Sequence, residues 1–346
     1  MWQTDASTPR TTRPIGLIQL ILVALITIAA RAYAQPTKLT QLNLAYTSTT
    51  TNFSIAWVAK LEGIFRKYNL EVELILMQGP STYLPALLSG NIHVLYGGGT
   101  AVSRAIASAD PNLIVIGSET RYVPLRLMVT PSIKNAAELK GKRLGVGRAG
   151  LDEYATLYYL EKNNLIPNKD VALIYTTGGI LARAAQMKQG LYDGMAIPPP
   201  NEIELEKQGF RELAYFFDLR MSYAGIPYTV TRDFRDKNQR VLTDFMTAIT
   251  EAIQLYRKNK EVGYRSIVQI TRQNDPTVLE KTYRANLQQY DAIQGLPFPW
   301  QDGIESMING FHARFTPALI KNRDARPYLD PSFVQRAVER LGLVKK

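Results

Sequence analysis

LNLAYTSTTTNFSIAWVAKLEGIFRKYNLEVELILMQGPSTYLPALLSGNIHVLYGGGT, Leu42 to Thr100, and RLGVGRAGLDEYATLYYLEKNNLIPNKDVALIYTTGGILARAAQMKQGLYDGMAIPPPN, Arg143 to Asn201, follow one pattern about 100 residues apart. Each reads as strand, polar loop, helix, strand, Gly-bearing turn, helix, strand, loop. Tyr68-Asn69-Leu70 answers Asn163-Asn164-Leu165, Leu88-Ser89-Gly90 answers Lys188-Gln189-Gly190, and His93 stands where Asp193 stands. Strands alternating with helices of this length mean parallel βαβ units, so the class is α/β. Two equivalent lobes in one chain imply a cleft between them, which is where a small molecule binds.

Outward from the repeats, RYVPLRLMV (Arg121 to Val129) and MSYAGIPYTV (Met221 to Val230) are extended. Pro227 denies the second a helix. These are the expected crossings between lobes. Lobe one would comprise residues 35–122 and 228–346, and lobe two 123–227. Val241, Phe245, Ile249, Ala252 and Tyr256 share one face of a long helix. Further helices are expected at Glu261–Arg272, Pro276–Tyr290, Gln301–Phe315 and Pro331–Leu341. They are expected to pack on the back of lobe one, and nothing in them suggests chemistry.

Arg10 and Arg13 precede an apolar run, Ile15 to Ala30, that ends at Ala32-Tyr33-Ala34. That is the form of a secretory signal peptide, residues 1–34, cut before Gln35. An uncleaved membrane anchor is the alternative, and the run is short beside the roughly 20 residues a span needs. Cleavage would leave about 310 residues, room for two domains. There is no cysteine, so disulfides, thiolate chemistry and Cys-ligated metals are excluded. The formal net charge is +11, with the charges scattered and no nucleic-acid motif. A solvated, modestly basic surface is the reading, and nucleic acid is not an expected partner.

In open α/β sheets a ligand sits beyond the carboxyl ends of the strands, where loops feed helix N-termini. Four such loops face the cleft. The first, with Thr47, Ser48, Thr49, Thr50 and Asn52, offers hydroxyls that donate or accept. Asn52 or Ser54 could cap the helix that follows. The second, Gly97-Gly98-Gly99-Thr100, opens a helix with backbone amides free to approach an anion. A tight turn would also use glycine there. The third contains Arg148, Ala149, Gly150, Leu151 and Asp152. Arg148 could clamp an acid across the cleft or be a surface arginine, and Asp152 could cap a helix. In the fourth, Pro198 and Pro199 stiffen the loop to Asn201. Tyr122 and Tyr223 fall on the crossings and could line the hinge side. Trp57 reads as core packing. Of the two histidines, His93 reads as a residue tied into the sheet, and neither forms a metal-ligand cluster. No Gly-x-Ser-x-Gly or histidine-bearing triad pattern is present, so no catalytic residue or cofactor is expected.

YTSTTTNFSIAWVAKLEGIFRKYNLEVELI, LLSGNIHVLYGGG and ELKGKRLGV (Glu138 to Val146) together resemble the nitrate/sulfonate/taurine-type periplasmic substrate-binding proteins of ABC transporters. Members similar to thiamine-pyrimidine synthases belong to the same family. The resemblance runs from about Leu42 to Val230, with Asn69 in place of a usual glycine and His93 in place of a usual aspartate. It implies a two-lobed type II periplasmic-binding-protein fold. Such a protein closes by a hinge on its ligand and docks on a permease with its ATPase. The expected ligand is a small anionic or polar-aromatic solute: a sulfonate, nitrate, a carboxylate or a pyrimidine. A monomer is expected. Alternatives are a periplasmic pyrimidine-precursor synthase-like enzyme, whose cysteine-rich motif this chain lacks, and a ligand-sensing partner of a receptor.

Overall fold

A computed structural model describes Met1 and residues 39–148, 150–176 and 180–343. The expected leader therefore lies, apart from Met1, outside the described residues, as does Ala149. The first repeat forms β1 (Thr40–Tyr46), β2 (Leu70–Leu76) and β3 (Val94–Tyr96), with β4 (Leu113–Ser118) following. Next come β5 (Arg126–Val129), β6 (Arg143–Gly147), β7 (Ala172–Thr176), β8 (Gly194–Ile197), β9 (Arg211–Tyr215) and β10 (Pro227–Thr231). Two five-stranded sheets result, in the orders β2-β1-β3-β10-β4 and β7-β6-β8-β5-β9. In each, the three repeat strands are parallel, and an antiparallel strand is inserted beside the third. That inserted strand is the one the chain makes just after crossing: β10 in lobe one, β5 in lobe two. The architecture is the two-lobed α/β fold expected from the repeats.

Local chemistry repeats as well. The Asn43 amide donates to His93 Nδ1 at 2.9 Å, and the Arg143 amide donates to Asp193 Oδ2 at 2.8 Å. Burial lowers the His93 pKa, which keeps its nitrogen an acceptor. Asn69 and Asn164 both turn in the left-handed region, at φ 60° and 54°. Asparagine tolerates that conformation, which explains how it fills a glycine position.

The two crossings run antiparallel and bond to each other. Val123 N donates to Met221 O at 2.9 Å, and Tyr223 N donates to Arg121 O at 3.2 Å. Gly225 (φ 71°) belongs to this ribbon, and a Cβ there would lie 2.2 Å from the Thr120 carbonyl oxygen. No side chain fits so close an approach.

Helix Gln239–Lys258 buries Leu242, Phe245, Ile249, Ile253 and Tyr256 against lobe one. Phe245 stacks on Phe65 at 6.0 Å and meets the Tyr228 ring edge-on at 5.5 Å. Truncating a phenylalanine so enclosed costs about 3–5 kcal/mol. Helices Lys260–Thr271 and Pro276–Ala292 start at side-chain caps, Asn259 and Asp275. At the first polar loop the expected cap is absent. A 3₁₀ turn, Thr51–Phe53, leads into helix Ser54–Leu61, and Ser54 Oγ donates backwards to Thr51 O at 2.6 Å. Among the described residues no helix is long and apolar enough to cross a membrane.

The C-terminal helices depart from expectation in two places. The helical run Gln301–Ser306, Met307–His312, Ala313–Phe315 does not sit on the back of lobe one. Its His312 meets Ser103 of lobe one at 2.9 Å, while Arg314 pairs with Glu161 of lobe two. Its middle widens to a π-helical turn, Met307–His312. Helix Pro276–Ala292 also reaches lobe two, through Lys281 to Glu206.

Candidate functional site

A cavity of about 500 Å³ opens where both lobes, both crossings and the C-terminal helical run meet. Lobe one supplies Thr50, Asn52 and Phe53 from the loop after β1, and Pro80 and Tyr83 from helix Pro80–Leu88. It also supplies Gly97 to Ala101 and Arg104 from the start of helix Gly99–Ala107. The crossings bring Pro124, Leu125, Tyr223, Gly225 and Ile226. Among the described residues, lobe two adds Leu151 and Pro198. Phe311, His312, Phe315 and Thr316 complete the wall.

The polar end is the glycine turn. Gly97 and Gly98 have φ of 105° and 66°, and a Cβ on Gly97 would lie 2.4 Å from Thr47 Oγ1. Glycine is required here for conformation and for room. The Ala101 and Val102 amides donate to Gly98 O. The Gly99 and Thr100 amides have no acceptor among the described residues, so they and the positive helix end face the cavity. Arg104 stands four residues beyond Thr100, hence on the same helix face. It is exposed and has no ion pair or hydrogen bond among the described residues. Tyr83, whose hydroxyl likewise has no partner among the described residues, is pushed up to about 12 by burial, tempered by Arg104.

His312 is 1% exposed, and burial, with Arg104 nearby, pushes it down to about 4. It is neutral at physiological pH. Ser103 Oγ donates to the Thr100 carbonyl at 3.0 Å, so the His312 Nε2 proton is directed at Ser103 across 2.9 Å. Ser103 is fully buried and its proton is engaged, which suits a fixed ring better than a nucleophile. Behind the turn, Glu119 is fully buried and accepts from Tyr96 at 2.6 Å and from Tyr228. Burial pushes its carboxyl up to about 8 against the lowering effect of both hydroxyls. The carboxyl is mostly neutral at pH 7, and Arg104 is left as the charge at the cavity.

The residues expected at the cleft divide. Thr50, Asn52, Gly98, Gly99, Thr100, Leu151, Pro198 and Tyr223 line the cavity. Thr47, Ser48, Thr49, Gly150, Pro199 and Asn201 do not. Ser48 is occupied with Thr50, Oγ to Oγ1 at 3.2 Å, and Asn201 donates to Pro198 O at 3.0 Å. Arg148 is exposed and lies over the Tyr175 ring at 4.3 Å. Asp152 accepts from Gly147 N at 2.7 Å and pairs with Arg183 at 3.0 Å, which ties its loop down. Tyr122 faces a neighbouring groove with Phe217 and Arg220. Arg104 was missed in the sequence, although its helical spacing after Thr100 was a signal that could have found it. Phe311, His312 and Phe315 carry no signal, since their helix lies outside both repeats. Among the described residues no cluster could hold a metal ion.

Residues 50–261 match the family described as NMT1/THI5 like. YtlA of Bacillus subtilis (strain 168), named as a candidate binding protein, is 25% identical over 234 residues, 65% of this chain and 69% of that protein. The periplasmic aliphatic sulphonate binding protein SsuA from Escherichia coli shares the fold with TM-score 0.64 at 19% identity, over 85% of this chain and 92% of that one. The desulfurization enzyme DSZB shares it with TM-score 0.67 at 17% identity, over 87% and 99%. The chain belongs to the NMT1/THI5-like family.

Proposed function

We propose that this NMT1/THI5-like protein is the extracytoplasmic solute-binding component of an ABC importer and takes an organic anion. The observation that carries the ligand class is the unpartnered Arg104 at one end of a largely apolar cavity. The acid group lies against Arg104 and the Gly99 and Thr100 amides, and the apolar body lies among Phe53, Tyr223, Phe311 and Phe315. Organic sulfonates and carboxylates have this chemistry, and an aliphatic sulphonate is the ligand named for the Escherichia coli protein. Nitrate would leave most of about 500 Å³ unfilled.

Residues 123–227 form the moving lobe, hinged on the paired crossings against residues 35–122 and 228–346. Contacts to both lobes favour the closed state, which a permease with its ATPase reads. The leader, residues 1–34, exports the chain, which acts as a monomer in the periplasm. A thermal-shift panel of alkane- and arenesulfonates, carboxylates, nitrate and pyrimidines tests the reading. Stabilisation by an organic acid grows with concentration as RT ln(1 + [L]/Kd). A panel without a shift removes the proposal.

The enzymatic alternative is favoured by one observation, His312 at the cavity wall. Against it stands the Ser103–Thr100 bond described above. Mass spectrometry of the same panel after incubation separates the two, because a binding protein returns every compound unchanged.

A further inference from the structure

Glu119 follows β4 where the first crossing begins, and its amide donates to Ile226 O of the second crossing at 3.2 Å. Tyr96 ends β3 and is followed at once by Gly97 of the cavity turn. Tyr228 lies beside it on β10, ring on ring at 4.7 Å. Both hydroxyls reach the Glu119 carboxyl, Tyr96 at 2.6 Å from Oε2 and Tyr228 against Oε1. All three side chains are sealed from solvent, and among the described residues no cation pairs with the carboxyl. The other titratable groups facing it are Tyr290 of helix Pro276–Ala292 and Tyr223 of the second crossing. Burial holds all four tyrosines well above their ordinary range. Within this cluster Glu119 alone changes charge near pH 8.

A neutral carboxyl carries a proton of its own, and a neighbouring hydroxyl must accept it. Tyr96 has a second acceptor within reach, the Asn52 carbonyl at 3.3 Å. A protonated Glu119 therefore donates to Tyr96 Oη, and Tyr96 turns its own hydrogen to Asn52 O. An ionised Glu119 draws that hydrogen back to Oε2, while Tyr228 donates to Oε1 in both states. Asn52 stands between Thr50 and Phe53 in the loop that lines the cavity, and the Phe53 ring meets Tyr96 at 4.9 Å. We propose that Glu119 is a positioning residue for the cavity, its proton setting whether Tyr96 ties down the Asn52 carbonyl or releases it. The tied loop holds Thr50, Asn52 and Phe53 in one arrangement. The released loop loses a hydrogen bond and gains a negative charge behind it, and both changes oppose an anion. The effect on affinity rests on the organic-anion reading above; the effect on the loop does not.

Two pH series on the full protein test it. The first follows the Asn52 carbonyl carbon by NMR without ligand. The second follows the affinity of butane- and hexanesulfonate, whose acid groups stay ionised throughout. In the unaltered protein the carbon signal should move with a midpoint near pH 8. Affinity should fall through the same midpoint by roughly twofold to tenfold, the worth of one neutral hydrogen bond. Glu119→Gln, whose amide donates to Tyr96 at every pH, should hold both at their low-pH values. Tyr96→Phe should abolish the movement of the carbon and flatten the affinity profile at a weaker level. Tyr228→Phe removes a donor to the ionised carboxyl but keeps the route to Asn52, so its break should persist at higher pH. A merely structural role would lower affinity in these variants without moving the pH break. A carbon that stays still, an affinity that is flat through pH 8, or a Tyr96→Phe variant with its pH dependence intact overturns the proposal. Should neither sulfonate nor any member of the carboxylate panel bind, the organic-anion reading fails, and the carbon signal alone decides the proton's hold on the loop.

Discussion

Lobe one and lobe two are built alike and used unequally. Strand order, the amide bonds to His93 and Asp193, and the turns at Asn69 and Asn164 match from lobe to lobe. At the strand ends the match stops. In lobe one the Gly97–Gly99 turn leaves amides and Arg104 free to face the cavity. In lobe two Asp152 is bound to Gly147 and Arg183, and among the described residues only Leu151 and Pro198 reach the cavity wall. Backbone equivalence therefore predicts where a site forms but not which half supplies its chemistry. That depends on side chains the loops leave unpaired.

The widest predicted gap between the halves lies in their arginines. Arg104→Ala should weaken an organic acid by roughly 10- to 100-fold, about 1.5–3 kcal/mol, the range for a hydrogen bond to a charged group. Arg148→Ala should change it less than about twofold, since that side chain rests on Tyr175. Calorimetric titration checks both, and equal losses would break the comparison.

Next is a pH effect from a group found at the root of lobe one. The folded protein holds a proton on Glu119 up to about pH 8, whereas an unperturbed glutamate releases it near 4.5. The unfolded state thus binds fewer protons across that range, and stability falls as pH rises through it. His312 acts oppositely. Its pKa is pushed from 6.5 to about 4, so stability falls as pH drops through that window. Above about pH 6.5 the His312 effect is spent and the Glu119 effect remains, a loss on the order of 1–2 kcal/mol by pH 8. Denaturant titrations of Glu119→Gln should show that slope flattened. An unchanged slope would mean that another group titrates.

The smallest effect is the one that should be equal in both lobes. Gly90 and Gly190 turn at φ 78° and 76°, and a Cβ on either would meet nothing within 4 Å. Alanine at each should cost about 1 kcal/mol from backbone conformation alone. Unequal costs, read from unfolding midpoints, would deny the repeat its structural equivalence.

Most of the fold was legible because periodicity and turn chemistry are local. Leu42, Leu44 and Tyr46 announce a strand wherever they occur, and Asn69 announces a left-handed turn. The glycine turn was legible for the same reason. What escaped needed distant partners. Arg148 and Arg104 look equally available in sequence, and only Tyr175 and the cavity tell them apart. Phe311 and His312 lie about 200 residues beyond the loop they face, on a helix whose apolar spacing matches ordinary core. Asn52 and Ser54 both looked like caps, yet the 3₁₀ turn leaves neither side chain in that role.

The central claim is that the cavity holds an organic acid by its lobe-one end. A crystal structure of the protein with the tightest-binding sulfonate or carboxylate of the panel tests it most directly. The acid oxygens should lie about 3 Å from the Arg104 guanidinium and the Gly99 and Thr100 amides, with the body among Phe53, Tyr223 and Phe311. An acid group bound at Arg148, with the cavity beside Phe311 empty, would contradict the account.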